Sequence, residues 1–239
     1  MKAVILAGGL GMRLRPFTQA IPKPLLPIGE QSLMELQIRN LARDGFEEIF
    51  ISTNYKAEYV EHFVGDGVRM GARVTFSKET TPLGTCGPLS LLRTELTEPF
   101  ILMNGDILTT INYEKFYQFG LDQDAEFTIA TKKIRTPLNF GSVRAEGNRI
   151  IQMEEKPDLV IEVVAGIYFM RPALLRYVPD GEYYGINQLI DRLLSEKRQV
   201  GRYEMSEYWL DIGQIDDYSQ AEDAYEKYFR GEKVGSATE

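Results

Sequence analysis

Three glycines and three cations crowd the start of the chain. Residues 2–7 (KAVILA) are a short, mostly apolar run that stops at Gly8, Gly9 and Gly11, and Arg13, Arg15 and Lys23 follow within a few positions. Glycine lacks Cβ, so such a loop can take positive φ and turn several N–H groups onto one ligand. Guanidinium forks and an ammonium point charge are the side chains that pair with phosphate oxygens. The combination points to a polyphosphate. A glycine-rich turn after a first strand can also be a tight strand-to-helix connection and nothing more. The basic residues and Pro22-Lys23-Pro24 favour the ligand. Two other phosphate loops are absent. A Walker loop needs Lys and then Ser or Thr after its last glycine, where Met12 and Arg13 stand, and the dinucleotide fingerprint needs a third small residue where Leu14 stands.

Cys86 is the only cysteine and His62 the only histidine, which excludes internal disulfides, zinc clusters and histidine-based catalysis. Any chemistry falls to Asp, Glu, Lys and Arg. Asp106 ends Asn104-Gly105-Asp106, directly after the strongly apolar residues 99–103. An aspartate at a strand end is commonly a turn former or helix cap. Here the strand before it places the carboxylate at the carboxyl edge of a sheet, where the glycine loop also lies, and a hard oxygen donor facing phosphates suits Mg²⁺. Residues 79–87 (ETTPLGTCG) form a loop at the same edge, with a plain connection as the alternative. The run Glu154-Glu155-Lys156-Pro157 is by itself an ordinary solvated turn. In residues 208–213 (YWLDIG), Trp209 is expected to pack rather than to stack on a base.

Residues 8–27 (GGLGMRLRPFTQAIPKPLLP) resemble the signature loop of the sugar-1-phosphate nucleotidylyltransferases, or NDP-sugar pyrophosphorylases. The resemblance continues in family order through PLGTCG (82–87), NGD (104–106), EEKP (154–157), AGIY (165–168) and YWLDIG (208–213). It implies that Arg13 and Lys23 are the catalytic cations, steadying the leaving pyrophosphate and the α-phosphate region. It implies nucleotide contacts from Leu6, Ala7, Gly8, Gly9, Gly11, Met12, Pro82, Leu83, Gly84, Thr85, Asn104 and Gly105. It assigns the sugar phosphate to Gly141, Glu155, Lys156, Ala165 and Gly166, with Lys156 on the phosphate and Glu155 on sugar hydroxyls. Asp106 and Asp211 match the pair that holds Mg²⁺. Two positions depart from the pattern. Met12 replaces a threonine that could touch phosphate, and Val164 replaces an asparagine that contacts sugar.

These residues need a scaffold. The 2–7 run reads as a buried first strand. Ser32 with Glu35 forms a capping-box pattern ahead of a helix over 33–43. Residues 48–53 read as a second strand, Asn54 as a cap, 55–64 as a helix with Tyr59, Val60 and Phe63 inward, and 72–77 as a third strand. That βαβαβ order implies a parallel sheet covered on both faces. Residues 99–103 and 125–131 read as further strands, and 112–119 as a short helix. Gly147-Asn148 between 142–145 and 149–153 marks a hairpin, and 162–170 is another buried strand. Residues 172–177 and 186–195 read as helices, the latter with Ile186, Leu189, Ile190, Leu193 and Leu194 on its core face. Residues 215–229 form a last amphipathic helix carrying Tyr218, Ala221, Ala224, Tyr225 and Tyr228 on one side, and 231–239 a frayed tail.

With 239 residues and 44% hydrophobic content the chain can build one sizeable core. The resemblance implies a Rossmann-like three-layer α/β/α nucleotidyltransferase fold with a mixed, mainly parallel central sheet. It is expected as a single catalytic domain over 1–230, nucleotide-binding mainly in 1–110 and sugar-phosphate-binding mainly in 111–230. A net charge of −8 argues against nucleic-acid and membrane partners. No apolar run is long enough to span a bilayer, which places the protein in the cytoplasm as an expectation.

The reaction implied is NTP plus sugar 1-phosphate giving NDP-sugar plus pyrophosphate, with Mg²⁺, in the short form that lacks an appended β-helix. PKP, PLGTCG and EEKP look most like the GTP-using mannose and manno-heptose branch, serving cell-surface glycan precursors. Uridylyl or cytidylyl transfer to an amino-sugar or alcohol phosphate is the first alternative, and a non-catalytic nucleotide-sugar-binding regulatory subunit the second. A metal-dependent glycosyltransferase fits less well, because NGDIL lacks a second aspartate. A homodimer is compatible with the sequence.

Overall fold

A computed structural model describes residues 1–230. The tail expected at 231–239 lies outside the described residues. Seven strands form the central sheet in the spatial order Val200–Glu204, Phe127–Pro137, Asp158–Met170, Phe100–Asn104, Lys2–Leu6, Glu48–Thr53 and Arg73–Lys78. Lys2–Leu6 lies parallel to both its neighbours, and Glu48–Thr53 parallel to Arg73–Lys78. Asp158–Met170 runs antiparallel to both of its own neighbours, and this one strand makes the sheet mixed.

Alternation along the strands divides the core into two layers. Ala3 and Ile5 face one side, where they join Met34, Ile38 and Leu41 of the helix Leu33–Arg43, Val60 and Val64 of Ala57–Val64, and Phe116 of Tyr113–Asp122. Val4 and Leu102 face the other, against Leu89, Leu174 and the buried Leu189 and Leu193 of the helix Ile186–Ser195. A third cluster sets Ala221, Ala224 and Tyr225 of the helix Ile215–Tyr228 against Leu14, Leu26 and Ile28, so the last helix backs the segment that follows the glycine loop.

The capping box at Ser32 forms as expected, with Glu35 N–H donating to Ser32 Oγ at 3.2 Å and Ser32 N–H to Glu35 Oε2 at 3.0 Å. Several expectations need correction. The second helix starts at Ala57 behind a left-handed Lys56, and Asn54 does not cap it; its amide donates instead to Glu79 O at 3.1 Å. Tyr59 and Phe63 stand exposed, because the face turned to the core is the i, i+3, i+7 stripe of Ala57, Val60 and Val64. Leu194 is likewise exposed. Tyr228 packs its ring on Tyr208 but is left half-open to solvent. Residues 172–177 form a 3₁₀ turn rather than an α-helix. The strand Val200–Glu204 has no sequence counterpart in the expectations. Its residues alternate weakly, and it exists because it pairs in parallel with Phe127–Thr131 at the sheet edge.

Candidate active site

The glycine loop and the NGD turn leave the sheet side by side. Leu6 and Asn104 are register partners on adjacent parallel strands, and Gly105 N–H donates to Leu6 O at 2.9 Å. A Cβ at Gly105 would lie 2.5 Å from that oxygen, so only glycine permits the approach. Gly11 sits in the left-handed region with φ 58°, and Thr18 Oγ1 donates to its carbonyl at 2.8 Å. The loop then turns through Met12–Leu14 and returns to place Lys23 beside Asp106.

Lys23 Nζ meets Asp106 Oδ2 at 2.5 Å, with both side chains largely buried. Asp106 Oδ1 is also buried and has no hydrogen-bond partner among the described residues. The short strand Trp209–Asp211 pairs antiparallel with Ile107–Thr109, setting Asp211 opposite Ile107, and Ile212 N–H donates to Asp106 O at 3.0 Å. Backbone pairing therefore brings the two aspartates together from distant parts of the chain. Desolvation within the cleft, and then the neighbouring Asp106 charge, push the Asp211 carboxyl above its ordinary pKa, while Lys23 and Arg13 pull the other way. Among the described residues no cluster of three or more His, Cys, Asp or Glu side chains occurs. Two carboxylates, one with an orphaned oxygen, suit a hard divalent cation that takes its remaining ligands from phosphates and water. The donor set fits Mg²⁺.

Two contiguous hollows meet at Gly9, Lys23 and Asp106. One, of about 310 Å³, is lined by Leu6, Ala7, Gly8, Pro82, Gly84, Thr85, Asn104 and Gly105. The other, of about 440 Å³, adds Gly11, Met12, Arg13 and Gly213. The expected nucleotide residues thus share one cleft, with the exception of Leu83. That side chain is buried, and its backbone N–H donates to Glu79 Oε2 at 2.8 Å. Thr85 Oγ1 accepts from Ile186 N–H at 2.8 Å, which ties the loop to the start of a helix. Gly141, Glu155 and Lys156 do not line either hollow. They lie exposed on the ribbon built from Ser142–Glu146 and Arg149–Glu154 and its flanks. Ala165 is buried, accepting from Trp209 Nε1 at 2.8 Å, so Trp209 packs as expected, and Gly166 abuts Asn104.

Among the residues of this site that sequence reasoning missed, two hold its loops in place. Glu79 is 7% exposed and lines the first hollow. Its Oε1 accepts from Ser52 Oγ at 2.8 Å and its Oε2 from Leu83 N–H, and Oε1 lies where a Cβ on Gly8 would be 2.9 Å away. It joins the glycine loop to the 79–87 loop. The available signal was its place immediately after the Arg73–Lys78 strand. Gln37, on the inner face of Leu33–Arg43, donates from Nε2 to Asn104 O at 3.2 Å and Ile107 O at 2.8 Å and so braces the NGD turn. A polar residue inside an apolar helical stripe was its only mark.

Residues 2–228 match the family described as nucleotidyl transferase. Mannose-1-phosphate guanylyltransferase catalytic subunit beta of Danio rerio is 34% identical over 226 residues, covering 91% of this chain and 62% of the relative. Probable mannose-1-phosphate guanylyltransferase 1 of Oryza sativa subsp. japonica is 33% identical over 227 residues, covering 91% and 63%. The chain therefore spans less than two thirds of the length of these relatives. Among solved structures, HddC from Yersinia pseudotuberculosis complexed with GMP-PN superposes with a TM-score of 0.73 at 26% identity, covering 94% of this chain and 99% of that one. A Bacillus anthracis structure with a TM-score of 0.77 and 24% identity agrees in fold.

Proposed function

The chain belongs to the nucleotidyl transferase family, and from that premise we propose that it transfers a guanylyl group from GTP to mannose or manno-heptose 1-phosphate in the cytoplasm. The observation that carries this reading is the convergence of Lys23, Asp106 and Asp211 beside the glycine loop. The names of the curated relatives support the base and the sugar class.

In the proposed reaction an oxygen of the sugar phosphate attacks the α-phosphorus in line, the bond to the β-phosphate breaks, and pyrophosphate leaves. The nucleophile is already ionised at neutral pH, so no general base is required. Catalysis reduces to positioning two anions and offsetting their repulsion. Asp106 and Asp211 would hold Mg²⁺, which would supply Lewis-acid neutralisation of charge on the phosphates. Lys23 adds a fixed positive charge at the cleft floor, and the glycine loop turns backbone donors toward phosphate. Arg13, which borders Gly213 across the second hollow, is assigned the leaving pyrophosphate. In this reading residues 1–110 mainly hold the nucleotide and 111–230 mainly the sugar phosphate, with Lys156 and Glu155 supplied by the ribbon.

Glu79 is our selector of guanine. Each of its oxygens accepts one protein hydrogen bond and keeps a further acceptor site. An edge made only of acceptors complements the N1–H and N2–H₂ donors of guanine and repels the carbonyls that flank N3–H in uracil and thymine.

The test is pyrophosphate release with Mg²⁺, pairing GTP, UTP, CTP, dTTP and ATP with mannose, manno-heptose, glucose and amino-sugar 1-phosphates. Release with GTP and a manno-configured sugar is expected, and Lys23→Ala or Asp106→Asn should lower turnover by about 10²-fold or more. Silence across the panel would sink the reaction. In the same assay Glu79→Gln should lower the preference for GTP over UTP by about 10- to 100-fold. An unchanged ratio would remove Glu79 from base selection while leaving the reaction intact.

A further inference from the structure

We propose that Lys56 is a positioning residue, whose ammonium clamps the arc between Arg13 and Lys23 so that both cations stay aimed into the cleft. The proposal rests on the reading of that cleft given above. Lys56 Nζ donates to Gln19 O and, at 2.9 Å, to Ala20 O. These are the last two carbonyls of the short helix Phe17–Ala20, which has no following turn to satisfy them. Lys23 stands just beyond, and whatever fixes Ala20 fixes the approach of Lys23 to Asp106.

Little else fastens this arc. Residues 15–21 are exposed apart from Thr18, whose hydroxyl bonds back to Gly11 within the same loop. Phe17 stacks on Tyr218 with ring centroids 6.2 Å apart. Toward the helix Ala57–Val64, a groove of about 520 Å³ lined by Ile21, Pro22, Leu25, Tyr59, His62 and Phe63 keeps the arc from packing down. Among the described residues, Lys56 supplies the only hydrogen bonds that tie residues 15–21 to the chain beyond the 8–27 segment.

The backbone at Lys56 points the same way. It sits at φ 53° and ψ 37°, in the left-handed region that disfavours residues with a Cβ, Asn least among them. A strained position persists where its surroundings fix it. Here the ammonium also lies 5.5 Å from the Tyr55 ring centroid and 5.4 Å from that of Tyr59. Two residues earlier, Asn54 holds Glu79 O. The turn 54–56 therefore grips both loops that border the cleft. A cation displaced by about 1 Å from its working position can cost on the order of 10²-fold in rate.

Amide hydrogen exchange and steady-state kinetics on the wild type, Lys56→Asn and Lys56→Arg test the clamp. Asn accepts the left-handed backbone but is too short to reach the two carbonyls, whereas Arg keeps a long cationic donor. In Lys56→Asn the amides of Leu14, Gln19 and Ile21, which are bonded within the loop, should exchange about 10-fold faster. The strands Phe100–Asn104 and Glu48–Thr53 should keep wild-type protection. Turnover with GTP and mannose 1-phosphate should fall by about 10-fold or more, and Lys56→Arg should recover most of both effects. A role confined to holding the fold together would instead speed exchange throughout the sheet and leave the turnover of the folded enzyme unchanged. That pattern, or loop amides that exchange in Lys56→Asn as they do in the wild type, would overturn the proposal. A wild type silent with every nucleotide would sink the reaction instead, and loop exchange would still decide the clamp.

Discussion

Asp211 stands where its charge costs stability. Its folded pKa is raised by desolvation and by Asp106, so the ionised form is disfavoured in the fold relative to the unfolded chain. The sign follows. Above the ordinary carboxylate range the folded protein bears an unfavourable charge, and that cost is relieved as pH falls through the raised pKa. Asp211→Asn is therefore expected to raise the thermal midpoint of the cation-free protein at pH 7, with the gain shrinking as the pH approaches 4. Solvent reaches this side chain, which keeps the effect well below that of a sealed charge. The same substitution should cut turnover and, if the proposed Mg²⁺ site is the one that binds, abolish the stabilisation expected when Mg²⁺ is added to the wild type. Thermal scans with and without Mg²⁺ decide this, and a variant no more stable than the wild type without cation would contradict the account. At this scale the site was legible where residue type and motif coincide, as at Lys23 and Asp106. Glu79 was not, because a glutamate after a strand looks like any other until Ser52 and Leu83 are seen to hold it in the cleft.

Elements were read well where periodicity is strong and ends are marked. The helix Leu33–Arg43 and the strand Glu48–Thr53 lie where the capping box and the apolar run placed them. The helix Ala57–Val64 shows the failure. An asparagine after a strand is a good cap, but its amide satisfies Glu79 O, and the left-handed Lys56 delays the first turn. Gln37 shows a second limit, since an apolar stripe read by hydrophobicity passes over a buried amide that holds two carbonyls of the NGD turn. Gln37→Met keeps the volume and strands both acceptors. Urea denaturation should show a loss of about 1–3 kcal/mol with an unchanged slope. A loss below about 0.5 kcal/mol would mean the turn is held by other bonds.

For the molecule as a whole, the net charge is −8, and the cations of the candidate cleft stand against that acidic background. Lys23, Arg13 and the glycine loop meet at one sheet edge, and among the described residues no helix is long and apolar enough to cross a membrane. The sequence by itself determined what acts locally. A short apolar run before a glycine loop is a buried strand feeding a turn at the sheet edge, Gly147-Asn148 closes a hairpin, and the only histidine and only cysteine leave any chemistry to Asp, Glu, Lys and Arg. Those choices depend on neighbours within a turn or two of chain. Only the tertiary structure decided the rest. It set the antiparallel Asp158–Met170 beside Phe100–Asn104 and drew Val200–Glu204 into the sheet. It joined Asp211 to Asp106 through the pairing of Trp209–Asp211 with Ile107–Thr109, and left an apolar ribbon face uncovered. Pairings of this kind are chosen by which strand edges and apolar faces remain free once the other segments have packed, and no local pattern records that outcome.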